Sequence, residues 1–155
     1  MITRRDVVAK SIAGSIAAAF AGDSFAFGPP DQTLGSTVFD WNAIPARPTD
    51  TGSVRSFCKE PTATLNELEI HVTTLEPGKA SHPPHRHLNE ELVILRQGLL
   101  EAFENGQWTR VGPGSVTFSA SNQLHGVRNP GTEPAVYHVI NWKSSRTPEA
   151  APRAS

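Results

Sequence analysis

Apolar and polar positions alternate along most of this chain in short runs punctuated by glycine, proline and asparagine, which is the period-two signature of β-strands. Runs of this kind fall at 36–41, 53–59, 68–75, 91–96, 99–104, 107–111, 115–119, 124–129 and 135–142. No helical period of useful length interrupts them. Between Leu99–Glu104 and Gln107–Val111 stands Asn105-Gly106, a two-residue hairpin signal, because both central positions of the favoured turn need positive φ. In Glu91-Leu92-Val93-Ile94-Leu95 both alternate faces are mainly apolar, which predicts a strand with neighbours on each side. The pattern as a whole predicts an all-β domain, a small antiparallel β-barrel or a sandwich, in which closure disposes of exposed sheet edges.

The two ends of the chain break the alternation. Residues 1–26 carry Arg4-Arg5, then Lys10, then the apolar run Ser11 to Ala21, with small-x-small triplets at Ala19-Phe20-Ala21 and Ser24-Phe25-Ala26. A run of about 11 residues falls well short of the roughly 20 needed to cross a bilayer, so no stable membrane anchor is expected. The segment resembles a twin-arginine export signal, which implies transport of an already folded protein to the periplasm. Residues 27–35, with Gly28, Pro29, Pro30 and Gly35, read as a linker, 36–143 as the β domain, and 144–155 as a polar tail with almost nothing apolar to bury.

Composition narrows the function classes. The 12 glycines and 13 prolines suit a turn-rich fold and stay below the share of about 25–30% that marks low-complexity disorder. A net charge of −1 gives no electrostatic footprint for nucleic acid, whose binding depends on cations that neutralise phosphates. The single cysteine, Cys58, excludes an intramolecular disulfide and a zinc ribbon, so the core has to hold without a covalent or metal staple. There is no His-Glu-x-x-His helix, Gly-x-Ser-x-Gly elbow or phosphate-binding glycine loop.

What stands out chemically is Ser81-His82-Pro83-Pro84-His85-Arg86-His87, which holds three of the six histidines. In extended backbone His85 and His87 project to one face and can share one ion. Glu91 has the same parity, but a straight strand would place it roughly 13 Å from His87, too far for both to sit about 2 Å from one metal. A bend at Leu88-Asn89-Glu90 is therefore expected, with Glu91 returning on the next strand. Glu90 projects the opposite way. His125, at the start of a later strand, supplies a third imidazole. Such a set suits Fe, Mn, Ni or Zn as a single divalent ion, without choosing among them. His82 is expected beside the ligands rather than among them, and His71 and His138 as ordinary hydrogen-bonded histidines on strands.

These residues resemble the two signature motifs of the cupin superfamily. Gly78, His85, His87, Glu91 and Gly98 match the first in identity and spacing. Gly114, His125 and Asn129 match the second, with Ala120 where proline is usual and Asn122 where glycine is usual. The resemblance implies a small β-barrel or double-stranded jelly roll with a metal held by His85, His87, Glu91 and His125 inside its mouth. Two further coordination positions can then take a chelating substrate or a substrate with O₂. The expected activity is that of a dioxygenase-like oxidoreductase on a small organic substrate, with Glu91 as both ligand and proton acceptor. A non-catalytic small-ligand binder and a metal-assisted lyase or isomerase are the alternatives. Val93, Leu95, Phe118, Tyr137 and Trp142 are expected to wall the site. Arg86, Arg110 and Arg128 are expected in solvent, and an apolar strand near Val54–Phe57 offers a surface for a homodimer.

Overall fold

A computed structural model describes residues 33–149, which form nine strands: β1 (Arg47–Thr49), β2 (Gly52–Glu60), β3 (Glu67–Leu75), β4 (Glu90–Gln97), β5 (Leu100–Glu104), β6 (Gln107–Val111), β7 (Val116–Ser119), β8 (Gly126–Arg128) and β9 (Ala135–Lys143). There is no helix among the described residues, and so none long and apolar enough to cross a membrane. The expected export signal at 1–26 lies outside the described residues, as do the linker up to residue 32 and the tail from residue 150.

Every paired strand is antiparallel. One sheet has the order β1-β2-β3-β9-β4-β7 and the other β6-β5-β8. The two sheets enclose a core of Leu75, Val93, Leu95, Leu100, Ala135, Tyr137 and Val139, to which Val111 and Val127 add partly buried surface. This is the jelly-roll architecture, and its inner positions follow the alternation read in the sequence. Asn105 and Gly106 take φ values of 51° and 79° at the β5–β6 turn, as a tight hairpin demands. Gly98, between β4 and β5, has φ 84°, and a Cβ there would lie 2.7 Å from the Pro134 carbonyl oxygen, so only glycine fits.

Residues 36–41 do not form the expected strand. Phe39 and Trp41 have strand-like spacing, but their rings pack on Phe57 at centroid distances of 5.8 and 6.4 Å. The Trp41 ring also carries the guanidinium groups of Arg55 and Arg96, at 4.4 and 4.8 Å. The alternation there is satisfied by side-chain packing on the outside of the larger sheet, without a ladder.

Candidate metal centre

Two backbone hydrogen bonds join the separate stretches that carry the histidines. His85 N–H donates to the His125 carbonyl at 2.9 Å, and His125 N–H donates to the His85 carbonyl at 3.0 Å, an isolated antiparallel bridge. Asn122 N–H donates to the His87 carbonyl at 2.8 Å, which ties the same loops once more. Asn122 sits at φ 59°, in the left-handed region where asparagine is tolerated, so it serves where a glycine is usual. The chain bends at Leu88 and Asn89 and enters β4 at Glu90. Asn89 Nδ2 donates to Asn141 Oδ1 at 3.0 Å and holds that bend against β9.

The three rings converge. Centroids lie 5.3 Å apart for His85 and His87, and 4.6 Å apart for His125 with each of them. One nitrogen from each ring lies within 4.8 Å of the others. Glu91, on β4, places Oε2 3.5 Å from His87 Nε2 and Oε1 3.8 Å from His125 Nε2. Glu90 projects away and accepts a hydrogen bond from Trp142 Nε1 at 3.1 Å. His82 packs edge-on against His85 at 4.1 Å, next to the cluster.

Proton positions follow from the acceptors. His87 Nδ1 lies 2.9 Å from the Asn89 carbonyl oxygen and His125 Nδ1 2.9 Å from the Gln123 carbonyl oxygen. A carbonyl only accepts, so each Nδ1 carries a proton and Nε2 is the nitrogen left to bind an ion. Those two Nε2 atoms face each other at 3.1 Å. Two opposed lone pairs at that distance repel unless a proton or a cation lies near both. His85 Nδ1 is buried with no hydrogen-bond partner. Burial first, and then the neighbouring imidazoles of His82, His125 and His87, bring the His85 pKa down to about 4, which keeps that ring neutral near pH 7. The Glu91 carboxylate beside Nε2 raises the His87 pKa against the opposing effect of burial, so without an ion a proton at that nitrogen is what relieves the repulsion. The donor set fits a divalent ion: imidazoles fixed through their far nitrogens, a carboxylate beside them and an unsatisfied buried nitrogen.

The cluster forms part of the wall of a cavity of about 220 Å³. Val93 and Tyr137 line it as expected, but Leu95 is buried in the core instead. Phe118 is 53% exposed and stacks on Trp142 outside the barrel, because Phe118 pairs with Leu92 and so shares the face opposite Glu91. The lining is more polar than the sequence suggested, with Thr73, Glu104, Thr117, Ser119 and Asn141 facing inward. Glu104 accepts a hydrogen bond from Ser119 Oγ. Burial pushes the Tyr137 phenol up to about 12, so it stays protonated and can act as a donor. No arginine lines the cavity. Arg110 and Arg128 pair with Glu101, and Arg86 donates to the Asn122 carbonyl.

Asn129, which the sequence offered only as a motif position or a turn, is 1% exposed and acts as a lock. Its Nδ2 donates to the Leu75 and Glu133 carbonyls at 2.9 and 2.8 Å, and its Oδ1 accepts from Gly131 N–H at 2.9 Å. Asn141 and Ser119 were legible in principle, as polar residues at inward positions of otherwise apolar strands.

Residues 71–141 match the family model described as the cupin domain. No curated protein matches the chain. Among solved structures, an RmlC-like cupin from Shewanella frigidimarina is 12% identical, covers 72% of this chain and 95% of its own, and has a TM-score of 0.58. A predicted oxalate decarboxylase from Thermotoga maritima is 17% identical over 69% of this chain and 99% of its own, with a TM-score of 0.55. A sugar phosphate isomerase from a cupin superfamily of Silicibacter pomeroyi is 19% identical over 70% and 76%, with a TM-score of 0.55. Likeness at these identities establishes the fold and leaves the chemistry to the residues.

Proposed function

We propose that this chain is a cupin that binds one divalent transition-metal ion through His85, His87, His125 and Glu91 and works as a dioxygenase-like oxidoreductase on a small, polar organic molecule. The observation that carries the reading is the pair of imidazoles whose Nε2 atoms face each other at 3.1 Å beside Glu91 while both Nδ1 atoms are committed to backbone carbonyls. A cation resolves that opposition, and Glu91 supplies the compensating charge.

Bound there, the ion supplies Lewis acidity and, for iron or manganese, electron transfer. The protein's own part is to shape and protect the site. Val93, Val127 and Val139 give the cavity apolar wall, and Thr73, Thr117 and Tyr137 offer hydroxyls that orient a polar ligand. With two carboxylates and no arginine or lysine on its wall, the cavity disfavours a strongly anionic ligand unless a metal receives the charge. A second reading, a metal-assisted lyase or isomerase, is favoured by Glu104, a carboxylate on the same cavity that touches no ligand of the cluster and could move a proton without redox change.

Metal analysis of the purified protein tests both readings. Close to one equivalent of iron or manganese per chain supports the oxidoreductase, and zinc supports the lyase or isomerase. Absence of metal in the parent, or full loading of His87→Ala and His125→Ala, overturns the site itself. Export belongs to the same proposal, since a chain folded before transport can acquire its ion in the cytoplasm. Secretion of a reporter fused to residues 1–26 that persists with Arg4→Lys and Arg5→Lys would refute the twin-arginine route.

A further inference from the structure

The cavity carries a second polar group, outside the ligand cluster. His71, on β3, lines the cavity, and its Nδ1 lies 3.3 Å from Glu69 Oε1. The other oxygen of that carboxylate accepts a hydrogen bond from Lys59 Nζ, on β2, at 2.8 Å. The three side chains are in series: a cation on the neighbouring strand fixes the carboxylate, and the carboxylate fixes the ring. Strand parity brings this about, since Glu69 and His71 are two apart and share a face, and Lys59 is the cross-strand partner of Glu69.

The His71 imidazole 3.3 Å away, and then the hydrogen bond from Lys59, hold the Glu69 carboxyl at about 2, so it is ionised near neutrality and only accepts. The proton between Glu69 and His71 therefore belongs to Nδ1, and in the neutral ring Nε2 is the nitrogen that bears the lone pair. A base oriented through its far nitrogen by a carboxylate acceptor is the arrangement that proton-transfer sites use. Its place in the sheet suits that role. Across the ladder His71 pairs with Val139, and Val139 with Val93, so β3 stands two strand spacings from β4, roughly 10 Å, with the cavity alongside.

We propose that His71 is the proton acceptor of the site, positioned by Glu69 and Lys59, for a small hydroxyl-bearing molecule whose other end is held at the histidine cluster. The inference rests on the metal reading above, because the ion is what holds that other end. In the step, the ligand O–H bond breaks, the proton bonds to His71 Nε2 and the electron pair stays on the ligand oxygen. The Nδ1–H remains directed at Glu69, whose charge offsets the imidazolium. The substrate class is thereby a phenol, enol or hydroxy acid that ionises as it binds. The rival groups on the cavity are Glu91, committed to the cluster, His82, packed edge-on against His85, Tyr137, whose phenol is pushed up to about 12, and Glu104, whose carboxylate accepts from Ser119; none of these has a carboxylate orienting it as Glu69 orients His71.

The test uses the full chain loaded with Mn(II) and 4-nitrocatechol as probe, because the visible absorption of that compound distinguishes its ionisation states. The midpoint for loss of the bound probe's last proton is expected to rise by about one pH unit in His71→Gln. A smaller rise is expected in Glu69→Gln, with manganese content by elemental analysis equal to the parent in both. An unmoved midpoint in His71→Gln, an equal shift in Glu104→Gln, or metal-loaded protein that binds no probe overturns the proposal. If His71→Gln does not fold, the rise in Glu69→Gln decides it. A parent protein without manganese overturns the metal reading, and this proposal with it, before any probe is added.

Discussion

The same three strands, β3, β9 and β4, build both ends of the barrel interior, and the two ends differ in kind. At one end Leu75 pairs with Ala135, and Tyr137 pairs with Thr73 and Leu95. Two residues further along each strand the inward set is His71, Val139 and Val93, and two further still it is Glu69, Asn141 and Glu91, with Ser119 beyond on β7. One period-two alternation thus runs from packed hydrocarbon to carboxylates and amides within about 20 Å of strand. Inward polar positions give up burial energy that apolar residues would contribute, and a fold tolerates that where the positions carry function. The apolar end carries stability, and the polar end carries the proposed chemistry.

The largest effects should come from the apolar end. Leu95 is 2% exposed among Leu75, Leu100, Ala135 and Tyr137, so Leu95→Ala should lower stability by about 2–5 kcal/mol in urea or guanidinium unfolding. A loss below about 1 kcal/mol would mean that the two ends are not distinct. Next is Asn129→Ala, which removes three hydrogen bonds and leaves the Leu75 and Glu133 carbonyls and the Gly131 N–H without this partner. Its cost should be about 2–3 kcal/mol with metal content per folded chain unchanged. Loss of the metal with full stability would move Asn129 from the frame to the site.

At the polar end His125→Ala should do the converse. Metal-free stability should change by about 1 kcal/mol, because the substitution also removes one of the two opposed nitrogens. Metal-dependent stabilisation should disappear: added Mn(II) raises the Tm of the parent through mass action and leaves that of the variant in place. An equal rise in both would show that the ion binds elsewhere.

The sequence made the fold legible because its signals are local. Alternation and turn residues such as Asn105-Gly106 located eight of the strands to within about two residues. They misplaced residues 36–41, whose Phe39 and Trp41 satisfy the same spacing by packing on Phe57, Arg55 and Arg96. The convergence of His85 and His87 was readable from parity. The bend before Glu91 was readable from bond lengths. What parity on one strand could not supply was the pairing between strands: Phe118 faces outward because it lies opposite Leu92, and Asn129 is a lock because Leu75, 54 residues away, lies against it. The pair Glu69 and His71 was within reach of the alternation, but its meaning depends on the cavity beside it.

The smallest effect expected is an electrostatic one at the polar end. Glu69 has its carboxyl pKa lowered to about 2 from an ordinary 4.5, first by the His71 imidazole and then by Lys59. A carboxyl that is more acidic folded than unfolded binds fewer protons in the native state, so its contribution is fully present above about pH 4.5 and is lost as the pH falls towards 2. Solvent reaches the pair, which limits the contribution to about 1 kcal/mol. Other carboxylates titrate over the same range, so the informative quantity is the difference between parent and Glu69→Gln. That difference should be largest at pH 5 to 7 and close to zero at pH 2, whereas the difference between parent and Leu95→Ala, with no charge involved, should hold steady over the same range. Urea midpoints at pH 7, 5, 3 and 2 check both. If the Glu69→Gln difference is flat with pH, the series of Lys59, Glu69 and His71 does not hold the ring through charge, and the contrast between the two ends reduces to packing alone.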